Sequence, residues 1–147
     1  MTGSGTALLD VNVLIALLDS AHVHHDPAHD WLAAHAGQPW ATCPLTENGV
    51  LRVLGNPRYA NSPGAPHAVV GLLASLCRLR GHVHWPDSVS LLDTALFDSS
   101  RLLHFGQVTD SYLLGLARAN GGRLVTLDRR LVTGAVHQGA AHLQLIG

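Results

Sequence analysis

Residues 7–18 read ALLDVNVLIALL, two apolar runs that are separated by an acid, a valine and an amide. The first run is short and is typical of a buried strand, whereas the second has the apolar spacing of a helix. Asp10 therefore lies at the carboxyl end of a strand, where open α/β sheets bind their ligands. Other acids that end strands or begin helices are candidates for the same edge.

The composition predicts a folded protein of the cytoplasm. The chain has 147 residues, 47% hydrophobic and 13% charged, which suits a single domain over residues 1–147 and is too apolar for disorder. No apolar run is as long as a membrane span, and the first residues lack the parts of a signal peptide. Cys43 and Cys77 have no metal-binding spacing, so we expect buried thiols. The net charge of −1 is not typical of a nucleic-acid binder, although a bound metal would change that balance.

Strand and helix patterns alternate along the chain. We predict strands at residues 6–10, 40–43, 82–85, 123–127 and 142–146. Helices are predicted at residues 12–19, 26–36, 44–54, 66–80, 90–97 and 109–120. Asp26 and Pro27 have the chemistry of an N-cap and a first helical residue. The alternation predicts an α/β fold with a central, mainly parallel sheet of four to five strands and helices on both faces.

Four acids occupy equivalent places in this scheme. Asp10 and Asp128 end strands, and Glu47 and Asp110 lie in the first turns of helices. Because the carboxyl ends of parallel strands and the following helices share one edge, we expect the four acids to converge there. Two charges about 4 Å apart repel by roughly 4 kcal/mol at an effective dielectric constant near 20, so protons or a cation must join them. Oxygen ligands without cysteine favour Mg²⁺ or Mn²⁺, which predicts metal-dependent phosphodiester hydrolysis.

In this order, the acids and their neighbours resemble the PIN-domain nucleases, and specifically the VapC toxins of bacterial toxin–antitoxin pairs. The matching motifs are Leu9-Asp10-Val11-Asn12, Thr46-Glu47, Thr109-Asp110 and Thr126-Leu127-Asp128, and residues 51–59 resemble an actinobacterial subgroup. The resemblance implies the three-layer PIN fold and an endoribonuclease that uses one or two Mg²⁺ or Mn²⁺ ions. It also implies a homodimer and a VapB-type antitoxin as inhibitor. Structured tRNA or rRNA is the substrate that the family suggests.

The resemblance also assigns site residues by position. The implied catalytic and metal-binding acids are Asp10, Glu47, Asp110 and Asp128. Behind them we expect polar side chains that orient the ligands, namely Asn12, Thr109 and Thr126. Arginines are candidates for phosphate contacts, and two of them directly follow Asp128; they are Arg52, Arg58, Arg129 and Arg130.

Other interpretations of these residues stay open. Taken singly, Asp10 and Asp110 suit helix caps, and Glu47 suits a first-turn acid that complements the helix dipole. His25 and His29, in the segment from His22 to His29, have a spacing that can bind metal on a helix, but a polar loop and helix start explains them more simply. Two alternative functions remain, a PIN-like module that binds RNA or protein without cleavage and a different metal-dependent phosphohydrolase.

Overall fold

The structure is a computed structural model and describes residues 5–147. The prediction about a signal peptide concerns the first residues of the chain, most of which lie outside the described residues. The helices are α1 (Val11–Leu18), α2 (His25–Ala34), α3 (Pro44–Leu54), α4 (Pro66–Leu76) and α5 (Val108–Ala119). The strands are β1 (Ala7–Leu9), β2 (Trp40–Thr42), β3 (His82–His84), β4 (Arg123–Thr126) and β5 (Leu143–Leu145). None of the helices in this range is long and apolar enough to cross a membrane.

The five strands form one parallel sheet in the order β3-β2-β1-β4-β5. Successive side chains of the central strand β1 point to opposite faces, so Leu8 enters one core while Ala7 and Leu9 enter the other. Helices α1 to α4 cover the face of Leu9, and α5 covers the face of Leu8. The predicted α/β fold with helices on both faces is confirmed.

Strand order and helix packing together determine which polar residues meet at the carboxyl edge. Leu9 pairs with Val125, so the ends of β1 and β4 lie side by side. Helix α3 approaches α1 closely at Gly49, where a Cβ atom would stand 2.7 Å from Cγ2 of Val11. The first turns of α1 and α3 therefore begin at neighbouring places on this edge.

The predicted helix over residues 90–97 is wrong, because turns occupy this segment. The hydroxyl of Ser90 accepts a hydrogen bond from the N–H of Leu92, and Oδ1 of Asp93 accepts one from the N–H of Ala95. Such local bonds stabilise turns at the expense of a helix. Phe97 then packs against α5 at Gly115, where any larger side chain would collide with its ring.

The predicted N-cap at Asp26 is also wrong. Helix α2 begins at His25 with His24 as the N-cap, so Asp26 and Pro27 both lie within its first turn. Proline fits there because the first N–H groups of a helix have no partner within the helix.

His25 and His29 are consequently both helical, and their ring centroids are 4.3 Å apart. Nδ1 of His25 lies 2.7 Å from the carbonyl oxygen of Ala16, and Nε2 of His29 lies 3.0 Å from that of Leu17. Each ring thus bonds one of the last carbonyl groups of α1, which otherwise lack a partner within the helix. These contacts favour a structural role for the histidine pair over a metal site.

Candidate active site

Asp10 caps α1 at the point where β1 ends. Its backbone is extended, and Oδ1 accepts a hydrogen bond from the N–H of Val11 at 2.8 Å. Only 6% of the residue is exposed. Burial raises the pKa of this carboxyl, hydrogen bonds from Thr126 and Val11 oppose the rise, and the charge of Asp128 adds to it. Helix capping explains the contact of Oδ1. It does not explain why this carboxyl group is buried close to the charge of Asp128.

Thr126, the last residue of β4, ties Asp10 and Asn12 together. Its hydroxyl donates to Oδ2 of Asp10 at 2.8 Å and accepts from Nδ2 of Asn12 at 3.0 Å. The same hydroxyl accepts from the N–H of Asp128 at 3.1 Å. Oδ1 of Asn12 also accepts from the N–H of Leu127 at 3.1 Å. These bonds join the start of α1 to the end of β4 and fix the orientation of the Asp10 carboxylate.

Asp110 and Asp128 complete a group of three carboxylates with Asp10. Asp110 stands in the first turn of α5, and Asp128 follows β4 by two residues. Burial raises the pKa of Asp110 most, and the charges of Asp10 and Asp128 raise it further, to about 6. The three acids thus come from two strand ends and one helix start, and their charges repel one another.

Glu47 begins at the same edge but its carboxylate has other neighbours. Oε2 accepts a hydrogen bond from the hydroxyl of Thr42 at 2.8 Å and lies 3.2 Å from Nδ1 of His84. Burial lowers the pKa of His82, and the charge of Glu47 opposes that change. Within residues 5–147, the hydrogen bonds of the Glu47 carboxylate therefore go to β2 and β3 rather than to the aspartates.

The structure separates the candidate arginines. Arg130 lines a cavity together with Asp110 and Asp128, whereas the guanidinium of Arg129 donates to the carbonyl oxygen of Gly147 at 2.7 Å. Among the four candidate arginines, Arg130 is thus the one that shares a cavity wall with two of the acids. Three further candidates are exposed on α3, on the loop after it and on α5, namely Arg52, Arg58 and Thr109.

A cavity of about 290 Å³ opens beside Asp110 and Asp128. Part of its lining was not singled out from the sequence and comes from the segment just before α5, namely His104, Gly106 and Gln107. No spacing pattern marks these residues, because Gln107 acts on nearby backbone groups rather than on side chains of another element. In the sequence, only their position directly before Asp110 could have indicated that these residues belong to the site.

The donor groups fit a hard divalent cation. The cluster offers carboxylate oxygens without a thiolate, which is the chemistry that Mg²⁺ and Mn²⁺ prefer. In the described part of the chain, no three His, Cys, Asp or Glu side chains are close enough to enclose an ion by themselves. Mg²⁺ usually keeps several waters and takes only one or two carboxylates plus substrate phosphate. Burial is the main cause of the raised pKa of Asp110 and the charges of Asp10 and Asp128 add to it, and a bound cation would act in the opposite direction.

Known proteins place this arrangement in a family. Residues 7–135 match the PIN domain family. The chain is 47% identical over 130 residues to Ribonuclease VapC44 of Mycobacterium tuberculosis, an overlap that covers 88% of this chain and 91% of that protein. The chain belongs to the VapC branch of the PIN-domain family.

Two solved structures share the fold. One is VapC20 of Mycobacterium tuberculosis, a toxin that cleaves the sarcin–ricin loop. The other is VapBC2 of Rickettsia felis, bound to a DNA fragment from their promoter. Both have a TM-score of 0.64, with 13% and 14% sequence identity, and the overlaps cover 97% of this chain and 100% and 99% of those chains. At these identities the likeness concerns the fold alone.

Family membership confirms three predictions from the sequence, namely the VapC family, the PIN fold and the class of toxin ribonuclease. PIN-domain ribonucleases use divalent metal ions, so the donor chemistry of the aspartates agrees with the family. A module without catalysis and a phosphohydrolase of another kind find no support among these relatives.

Proposed function

We propose that this VapC protein is an endoribonuclease that uses one or two Mg²⁺ or Mn²⁺ ions, bound by Asp10, Asp110 and Asp128 either directly or through water molecules. The grouping of these three carboxylates is the observation that carries the proposal. Their mutual repulsion contributes to the raised pKa of Asp110, about 6, and a divalent cation between them would replace repulsion by attraction.

Each residue has a defined task in this proposal. Thr126 and Asn12 hold the Asp10 carboxylate in one orientation, so little rearrangement is needed when the ion binds. When bound, the ion supplies an acidified water nucleophile and stabilises the charge on the leaving oxygen. Arg130 contacts phosphate oxygens of RNA from the wall of the same cavity. Cleavage leaves 5′-phosphate and 3′-hydroxyl ends, as the family suggests.

Glu47 has a supporting task. One oxygen of its carboxylate, Oε2, is already engaged by Thr42 and His84, and none of its hydrogen bonds within residues 5–147 goes to the aspartates. We therefore assign it a smaller contribution to catalysis than Asp10 or Asp110. Thr109, the remaining predicted polar residue, contributes from the exposed side of the first turn of α5.

The proposed partners follow from the relatives. Ribonuclease VapC44 supports RNA as the substrate, and structured tRNA or rRNA is the class we would test first. Membership of the VapC branch supports a VapB-type antitoxin that inhibits the enzyme. We further propose that the protein forms a homodimer and acts in the cytoplasm, where these RNAs are found.

The decisive experiment compares RNA cleavage by the wild type, by Asp10→Asn and by Asp30→Asn. Asp30 is an exposed aspartate on α2 and provides a matched control. With tRNA and rRNA as substrates, we expect cleavage that requires Mg²⁺ or Mn²⁺ and stops with EDTA. Asp10→Asn should lower the rate by about 1,000-fold or more, which corresponds to roughly 4 kcal/mol. A folded Asp10→Asn variant that cleaves RNA like Asp30→Asn would refute the proposal.

A further inference from the structure

Residues 102–107, here called the 102–107 loop, lead directly into α5 and expose apolar side chains beside the aspartates. Leu103 is 84% exposed and Phe105 is 87% exposed. Their neighbours in the loop line the same cavity as Asp110 and Asp128. Phe105 itself is not in the cavity wall; it lies between two residues of that wall, His104 and Gly106, and is not part of either core.

Gln107 holds this loop in one conformation. The residue is only 9% exposed, and its Oε1 accepts hydrogen bonds from the N–H groups of Leu103 at 2.8 Å and His104 at 3.1 Å. Its Nε2 donates to the carbonyl oxygen of Arg101 at 3.1 Å. Nδ1 of His104 accepts from the N–H of Gly106 at 2.9 Å. A loop with so many internal bonds presents its exposed side chains in a fixed geometry.

The rings of His104 and Phe105 are stacked, with centroids 4.5 Å apart and planes at 25°. His104 lines the cavity, so the stacked pair leads from the cavity wall to the exposed Phe105 ring. We propose that Phe105, supported by His104, is a stacking platform for an unpaired nucleobase next to the phosphodiester that is cleaved, and that Gln107 is its positioning residue. This proposal rests on the ribonuclease function proposed above.

The surroundings of the ring favour RNA over a protein partner. The cavity beside Phe105 contains the three elements that a scissile phosphate requires, namely two of the acids and Arg130. A nucleotide bound there carries its base within a few ångströms of its phosphate, so the neighbouring surface is the natural place for the base. Aromatic side chains stack with any nucleobase and add affinity without reading sequence.

A substrate class follows from this placement. A base can stack on Phe105 only when it is not already stacked and paired in a helix, so the platform selects loops, bulges and single strands. We expect an RNA hairpin to be cleaved in its loop, and we expect the same sequence annealed to its complement to resist cleavage.

The test measures binding and cleavage of a fluorescein-labelled RNA hairpin by a series of variants at position 105. Phe105→Trp and Phe105→Tyr keep a ring, Phe105→Leu keeps an apolar surface, and Phe105→Ala removes both. Leu92→Ala is the matched control, because Leu92 is 89% exposed and lies in a different segment. Anisotropy with Ca²⁺ in place of Mg²⁺ gives the affinity, and steady-state kinetics with Mg²⁺ give KM and kcat.

We expect Phe105→Ala to weaken binding by roughly 5- to 100-fold, which is the usual effect of losing one stacked base. The loss should appear in KM with kcat nearly unchanged, because stacking stabilises substrate and transition state equally. Trp and Tyr should retain affinity, and Leu should resemble Ala. Gln107→Leu should weaken binding although Phe105 is intact, and this loss should also appear in KM with kcat nearly unchanged.

Three outcomes would overturn the platform, and a fourth would overturn the nuclease instead. Equal affinity of the Leu and Phe proteins would mean that apolar burial, not stacking, acts at this position. If Phe105→Ala changes the molar mass of the protein in solution but not its affinity for RNA, the ring belongs to an interface between protein molecules. If RNA cleavage requires metal and Asp10 but is the same for every residue at position 105, the nuclease proposal stands and the platform proposal is refuted. If RNA binding depends on the Phe105 ring but the wild type does not cleave RNA, the platform proposal stands and the nuclease proposal is refuted.

Discussion

The acidic edge of the sheet has two halves that balance negative charge in different ways. At β1, β4 and α5, burial raises the pKa of Asp110, and the charges of Asp10 and Asp128 raise it further. At β2 and β3, the Glu47 carboxylate accepts a hydrogen bond from Thr42 and lies beside His84. The first half needs a cation from outside, whereas the second half finds its partners within the chain.

This difference shows that the position of an acid at the sheet edge predicts its role less well than the side chains around it do. All four acids begin from equivalent places on strands and helices, and a sequence pattern treats them alike. What differs is the partner on the neighbouring strand, since Asp10 accepts a hydrogen bond from Thr126 on β4, whereas Glu47 accepts one from Thr42 on β2 and lies beside His84 on β3. We therefore expect substitutions in the two halves to have unequal effects on catalysis.

Asp110→Asn should have the largest effect among the variants that test the comparison. We expect cleavage of RNA to fall by about 1,000-fold, because an amide cannot offset the charge of a divalent ion as a carboxylate does. Titration of Mg²⁺ against thermal stability should also lose its effect, since the ion no longer stabilises the folded state. Metal-dependent stabilisation equal to that of the wild type would contradict the assignment of Asp110.

The same variant should be more stable than the wild type when metal is absent. The pKa of Asp110 is about 6 in the folded protein, against an ordinary value of 3.8, so the folded state holds more protons in between. Stability from this group therefore falls as the pH rises from about 4 to about 6, and the loss is complete above that range. The Tm of Asp110→Asn in EDTA should accordingly exceed that of the wild type at pH 7.5, with a smaller difference near pH 4.

Thr126→Val should have an intermediate effect. The valine has nearly the same shape but cannot donate to Asp10 or accept from Asn12 and Asp128. Loss of a group that orients a metal ligand typically lowers metal affinity or activity by about 10- to 100-fold. Thr126→Ser keeps the hydroxyl and should restore most of the rate. Equal rates for Val and Ser would show that the hydroxyl has no part in orienting Asp10.

Much of the fold was predictable because apolar spacing reports on burial. The run before Asp10 and the spacing after it predicted β1 and α1, and the glycines after α5 marked its end. The helix over residues 90–97 was wrong because Ser90 and Asp93 bond to nearby backbone groups, a competition that apolar spacing does not register.

The site was predictable in proportion to how local its contacts are. The sequence proposed Asp10 because it follows a strand directly and Thr126 because it stands two residues before Asp128, and the structure shows a hydrogen bond between the two. The contact between Glu47 and His84 joins residues 37 positions apart, so only the three-dimensional structure reveals it. Gln107 was not predicted for a related reason. Its side-chain amide forms hydrogen bonds with backbone groups, which every residue has, so no sequence pattern marks them.

Glu47→Gln should have the smallest effect of the three, a loss of about tenfold or less in kcat. The amide oxygen of glutamine can still accept the hydrogen bond of Thr42, so β2 and α3 should stay joined and the stability of the protein should change little. Because the aspartates remain intact, the stabilisation by Mg²⁺ should also persist. Rates and Mg²⁺ titrations measured beside Asp110→Asn provide the check. A loss as large as that of Asp110→Asn would mean that Glu47 leaves Thr42 and His84 and joins the ion when substrate binds. The two halves of the edge would then act as one site.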